Sequence, residues 1–217
     1  MGALAGLSEQ IPLAVECVPF EVAATQPRSS TFQLSNLLEE FHRATREASK
    51  LFLGRSADDL TNTWESSSWS VTQCLDHLAR TSLSFLPAIS LAVAMAPELN
   101  TNRPLRTGTI AWLLIRKLEP PYHLRYKVIP QLAPQETDFE AGWSNFKRSQ
   151  AQLLEAVRSA AGLAIDKVGV QCPVYARLNY NVYGALRLLA AHERRHLWQI
   201  EQILGALDGR RALKTTV

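Results

Sequence analysis

A chain of 217 residues, 47% apolar and 20% charged, is long enough for one domain with a full core and short for two, and this composition excludes disordered and fibrous classes. Its net charge of +3 comes from 23 basic and 20 acidic residues dispersed along the chain, so it carries no electrostatic footprint for nucleic acid. Cys17, Cys74 and Cys172 are widely spaced and form no CxxC pair, which argues against a disulfide framework and for a reducing compartment.

The N-terminal MGALAGLSEQ lacks a basic n-region, and Glu9 interrupts any apolar core, so it does not read as a secretory signal. Residues 1–30 mix Pro12, Pro19 and Pro27 with Ile11, Leu13, Val15, Val18 and Phe20 in partial two-residue alternation, and are expected to form an extended arm. The spacing of Phe32, Leu34, Leu37, Leu38, Phe41, Ala44, Ala48, Leu51 and Phe52 predicts a first long helix, which Gly54 ends. His42 falls beside that stripe and reads as a boundary or surface residue. The polar stretch Arg55 to Ser70 reads as a loop. It closes on Ser70, whose hydroxyl caps the next helix while Gln73 reaches back to the Ser70 amide, with Trp69 placed as a hydrophobic staple.

The second helix is predicted from Val71 to Met95. Cys74, His77, Thr81, Phe85 and Ala88 share one face of it, so His77 points inward. Pro87 is expected to kink or split this helix. Ala88 to Met95 is apolar nearly all round, which predicts cover from the arm, the following connection or a second subunit. The run Phe85 to Ala96 is interrupted by Pro87 and Ser90 and is too short for the roughly 20 residues of a membrane span. Residues Pro97 to Phe139 read as a connection with one helical piece at Ile110 to Leu118, covering one end of a bundle; His123 lies in its irregular part. A third bundle helix is predicted from Asp138 or Phe139 to Ala161 and is closed by Gly162. After a loop from Leu163 to Asn179, a fourth runs from about Tyr180 to Leu207, ending at Gly209. Arg210, Arg211 and Lys214 read as a solvated tail. Four long helices without a convincing strand pair make the fold class all-α, divided as an arm (1–30), a helical bundle (31–209) and a tail (210–217).

The chemistry concentrates in the fourth helix. Its apolar stripe at Val182, Leu186, Leu189, Ile200, Ile203 and Leu207 continues only through His192 and His196, which therefore face the core one turn apart. Burying unpaired polar groups costs roughly 1–3 kcal/mol each, so local hydrogen bonds or a metal ion must satisfy them. The HERRH string at 192–196 matches the HExxH pattern of zinc peptidases. A downstream ligand is missing, however: position 202 is Gln202, no histidine follows His196, and Asp208 alone is acidic after Glu201.

The WS pair at 69–70 opening a helix, HL at 77–78, and HERRHLWQI at 192–200 together resemble the DinB-like (DinB/YfiT) superfamily over about residues 31–207. The resemblance implies a four-helix bundle of up-down-down-up order, usually dimeric, with a divalent ion held by His77, His192 and His196. The inward placement of all three on two separate helices agrees with it. Three imidazoles leave coordination positions open, which is the pattern of a reactive site; Zn, Ni, Fe or Mn would suit them. Asp76, Glu193 and Glu201 are the nearest acidic candidates to accept the free ring N–H groups. The resemblance further implies metal-dependent transferases and isomerases that use a low-molecular-weight thiol such as mycothiol or bacillithiol, and here Glu193 is the candidate proton acceptor. The expected function is a metal-dependent enzyme that activates a thiol or water for a small-molecule substrate, thiol S-transfer being favoured over hydrolysis. The alternative is a non-catalytic, stress-associated metal protein whose site is structural or sensory. A cytoplasmic homodimer without nucleic-acid or membrane partners is expected, its pocket lined by the arm, the 55–70 loop and the 97–139 connection.

Overall fold

A computed structural model describes residues 29–63, 69–101, 103–120, 128–135 and 138–215, the side chains of 211–215 excepted. The arm and His123 therefore lie outside the described residues.

Helix α1 (Ser30–Phe52) starts where the Ser29 hydroxyl accepts the Phe32 amide at 3.2 Å. It stops just before Gly54, whose φ of 74° turns the chain out of the helix. The stretch expected as a loop contains one short helix, α2 (Ala57–Thr61). Ser56 and Asp59 cap each other's backbone amides there, and Leu60 is buried, so local capping and one core contact suffice for a single turn. Helix α3 (Val71–Ala94) begins with the expected reciprocal cap: the Gln73 amide donates to Ser70 Oγ at 3.2 Å and the Ser70 amide to Gln73 Oε1 at 2.9 Å. It runs unbroken through Pro87. Ile89, Ala92 and Val93 on its second half are buried in a cluster with Leu105 and Ala111 of the connection, whereas Leu91 and the C-cap Met95 are 65% and 70% exposed among the described residues.

Helix α4 (Thr109–Leu118) packs along the last helix rather than across an end of the bundle, and a 3₁₀ turn follows at Pro130–Leu132. Helix α5 (Phe139–Ser159) is capped by Asp138, which accepts the Ala141 amide at 2.7 Å. Between it and the last helix stands an antiparallel pair, β1 (Gly169–Gln171) and β2 (Asn179–Asn181), with Val170 opposite Tyr180. Strands of three residues are too short to show a periodicity, and the stretch read as loop for that reason. Helix α6 (Val182–Thr215) continues past Gly209. One glycine costs about 1 kcal/mol in a helix, which a helix of this length absorbs.

Four helices form the bundle, and their directions follow from two core clusters. One cluster joins Leu34 and Leu37 of α1, Phe85 and Ile89 of α3, Leu153 and Val157 of α5, and Val182 and Leu186 of α6. The other joins Ala44 and Ala48 of α1, Val71 and Leu75 of α3, Phe146 of α5, and Ile200 and Leu204 of α6. Helices α1 and α6 thus start at the end where α3 and α5 finish, which is up-down-down-up order. Helices α1 and α3 each pack on both α5 and α6. Because α3 and α5 are parallel, the chain between them must travel back along the bundle, and α4 and the 3₁₀ turn lie on that return path.

Candidate metal centre

The reciprocal cap at Ser70 fixes the start of α3, and two turns later His77 projects into the groove between α3 and α6. There it meets His192 and His196, which α6 presents one turn apart. His77 Nε2 lies 3.2 Å from His192 Nε2, and His196 Nε2 lies 3.1 Å from the same atom. One ring nitrogen from each residue falls within 4.8 Å of the others. Zn–N bonds of about 2.0–2.1 Å in tetrahedral geometry put neighbouring nitrogens about 3.3–3.4 Å apart, close to the spacing found here.

Proton placement shows why this cluster suits a cation. His77 Nδ1 lies 2.7 Å from the Leu132 carbonyl, which only accepts, so Nδ1 carries the hydrogen and Nε2 presents its lone pair. Burial lowers the pKa of all three rings. His192 is pushed down to about 3 by burial and then by its neighbours His77 and Arg195, and His196 falls well below its ordinary value for the same first reason. His77 is lowered by burial, partly opposed by its Leu132 bond. The rings are therefore neutral, and His192 Nε2 can offer at most one hydrogen to the two nitrogens facing it. Without a cation, lone pairs confront each other in a buried site; with one, all three point at it. His196 Nδ1 is also buried and makes no hydrogen bond of ordinary geometry among the described residues, although the Gln199 side chain stands near enough to oppose the effect of burial on the ring in small part. The donor set and its protonation fit a divalent ion held by imidazole.

The surroundings differ from the sequence expectation in an instructive way. None of the acidic candidates is seen accepting from a ligand ring. The acceptor for His77 is a backbone carbonyl of the 3₁₀ turn, and α3 holds that turn in place: Asp76 Oδ2 accepts the Gln135 amide at 2.8 Å, and Arg80 Nη2 donates to the Gln131 carbonyl at 3.3 Å. Glu201 is exposed. Glu193 is 1% exposed and accepts from Gln150 Nε2 of α5 at 2.6 Å, while its Oε2 has no partner among the described residues. Burial pushes its carboxyl up to about 8, only partly opposed by the Gln150 bond, so it is mainly protonated at neutral pH. Trp69 does more than staple a helix: its ring stacks on His196 at 5.7 Å and 11° and leans on His77 at 4.8 Å. Its place just before the helix cap was the available signal. His42 is exposed on α1 and takes no part.

Beside His192 opens a cavity of about 230 Å³, walled by α3, α4 and α6. The 97–139 connection does contribute to the site, as expected, through α4 and the 3₁₀ turn.

A four-helix bundle whose second and third long helices run parallel, with three histidines converging between α3 and α6, defines a class of helical proteins with a group that could hold a metal ion. The sequence matches the DinB superfamily model over residues 40–200, and the chain belongs to that family. Among solved structures, it is similar to YfiT from Bacillus subtilis, described as "a probable metal-dependent hydrolase with an unusual four-helix bundle topology", at 14% identity and a TM-score of 0.53, covering 83% of this chain and 90% of that one. That likeness establishes the fold. No curated protein matches the chain. Among the described residues, no helix is long and apolar enough to cross a membrane.

Proposed function

We propose that this protein is a divalent-metal-dependent enzyme that activates a thiol for transfer to a small electrophile, with His77, His192 and His196 as the ion's ligands. The observation that carries the reading is the convergence of three buried, neutral ring nitrogens that face one another and, among the described residues, no other donor. A divalent ion held there supplies Lewis acidity, making thiolate or hydroxide available at neutral pH. The chain's own residues do the rest. The Leu132 carbonyl fixes the tautomer of His77, Trp69 shields two of the rings from water, and the cavity at His192 gives a substrate access to the site.

Glu193 is proposed as a proton-handling group, although its buried bond to Gln150 also fits a purely structural part. Glu193→Gln separates the two: lost turnover with full metal content assigns proton transfer, and unchanged turnover assigns packing. Hydrolysis is the second reading, favoured by the description of YfiT.

Metal analysis of the purified protein and of His196→Ala is the direct test. The expected result is one divalent ion per chain in the wild type, none in the variant, and metal-dependent thermal stabilisation of the wild type alone. Thiol consumption against monobromobimane and chlorodinitrobenzene, beside ester and amide hydrolysis, then distinguishes the two chemistries. A wild-type protein that binds no zinc, nickel, iron or manganese would remove the basis for both. Metal binding without turnover in any of these assays would favour a sensory or structural site.

A further inference from the structure

We propose that the cavity beside His192 is a preformed subsite for an apolar group of the substrate, an aryl or branched alkyl group between benzene and naphthalene in size. Calling its occupant a substrate group rests on the enzymatic reading above; the cavity's selectivity does not.

The geometry makes the cavity continuous with the histidine cluster. Thr81 and Phe85 follow His77 at one and two turns along the same face of α3, and both line the cavity. Leu188 and Leu189 line it from the turn of α6 before His192, and Leu114 and Leu118 close it from α4. His192 thus belongs to both the cluster and the cavity wall. The wall presents almost no nitrogen or oxygen surface, since Thr81, Lys117 and His192 contribute carbon to it. A polar group entering would leave water without gaining a hydrogen bond, whereas an apolar group loses nothing.

Size points the same way. An enclosed apolar cavity of about 150 Å³ takes up benzene; this one, about 230 Å³ and partly open to solvent, has room for the next larger group. The roof does not have to close over its guest, because α4 is fastened to α6 and its flanks at both ends. Asn181 Nδ2 donates to the Arg106 carbonyl at 2.8 Å and Arg187 Nη1 to Thr107 Oγ1 at 2.6 Å before the helix, and Arg194 pairs with Glu119 after it. A preformed cavity binds without an ordering cost.

The test is calorimetric or NMR titration of the metal-free full-length protein with toluene. The wild type is expected to bind one equivalent saturably. Leu114→Trp, which fills the cavity from a half-buried roof position, is expected to bind about tenfold more weakly, with melting and circular dichroism verifying the fold. If Leu114→Trp does not fold, Leu118→Asn serves in its place, with weakening of about fivefold expected from a polar wall. Absence of saturable binding by the wild type, or equal affinity in the folded variant, overturns the proposal. His196→Ala, which removes a metal ligand but no part of the wall, is expected to keep the wild-type toluene affinity. Toluene binding by a protein that takes up no metal would refute the enzymatic reading and leave the subsite standing; metal binding without toluene binding would do the reverse.

Discussion

Gly184 stands on α6 where α4 comes closest, and replacing it with alanine tests that approach. A Cβ at this position would collide with the Thr107 backbone carbonyl and sit 2.8 Å from Ala111 Cβ and 3.0 Å from Asn181 Oδ1. Neither the carbonyl nor the Ala111 methyl can rotate away, so the start of α4 must move. Overpacking of this kind costs about 1–3 kcal/mol. Moving residue 107 also strains the Arg187–Thr107 and Asn181–Arg106 hydrogen bonds, worth about 1 kcal/mol each. Against this stands a gain of about 1 kcal/mol from alanine in a helix. The net expectation is a loss of about 2–4 kcal/mol, which for a chain of this size lowers Tm by about 4–16 °C. Gly205 is the control, on the same helix with nothing within 4 Å of its would-be Cβ; Gly205→Ala should gain about 0.5–1 kcal/mol. Urea and thermal unfolding followed by circular dichroism measure both. If Gly184→Ala matches or exceeds the wild type, or the two variants shift in the same direction, the close packing of α4 on α6 is wrong.

Three further outcomes are expected. Ser70→Ala removes the hydroxyl half of a buried capping box and should cost about 1 kcal/mol, read from the same unfolding curves. Asp76→Ala releases the Gln135 amide that anchors the turn over His77, so metal affinity measured by competition with a chelator should fall about tenfold; Asp76→Asn, which keeps an acceptor oxygen, should retain it. Asp166 accepts from Arg103 at 2.7 and 2.8 Å and from the Arg106 amide at 3.1 Å. Burial pushes its carboxyl up, but these bonds outweigh burial and hold it below the ordinary value. Its contribution is therefore full above pH about 3.8 and lost as pH falls through the lower folded value. The stability gap between wild type and Asp166→Asn should accordingly narrow in acid, and a gap that widens below pH 4 would contradict the assignment.

The bundle was legible because its helices carry long apolar stripes and strong end signals: the Ser70–Gln73 box, Gly54 and Gly162 all do what their chemistry predicts. The inward placement of the three histidines was legible for a related reason, since a histidine interrupting an apolar stripe stands out against its neighbours. The site's supports were not. The acceptor for His77 is a main-chain carbonyl, and every residue has one, so nothing in the letters at 130–132 distinguishes Leu132. Gln150 as the partner of Glu193 depends on the rotation of α5 against α6, which a polar residue within an amphipathic stripe does not reveal. Trp69 was placed correctly beside the cap, yet its contact with His196 arises only once α3 and α6 meet.

The parallel run of α3 and α5 has a consequence for how such a protein can change. Antiparallel neighbours could be joined by a tight turn, and the groove between α3 and α6 would then lie bare. Here the obligatory return from Met95 to Asp138 supplies the carbonyl that orients His77 and the α4 wall of the cavity, while the two core clusters draw mainly on the four long helices. Selectivity and scaffold thus reside largely in different stretches of chain. Much of the crossover can be rewritten, residue by residue, to admit a different guest, with the bundle core and the three imidazoles inherited unchanged.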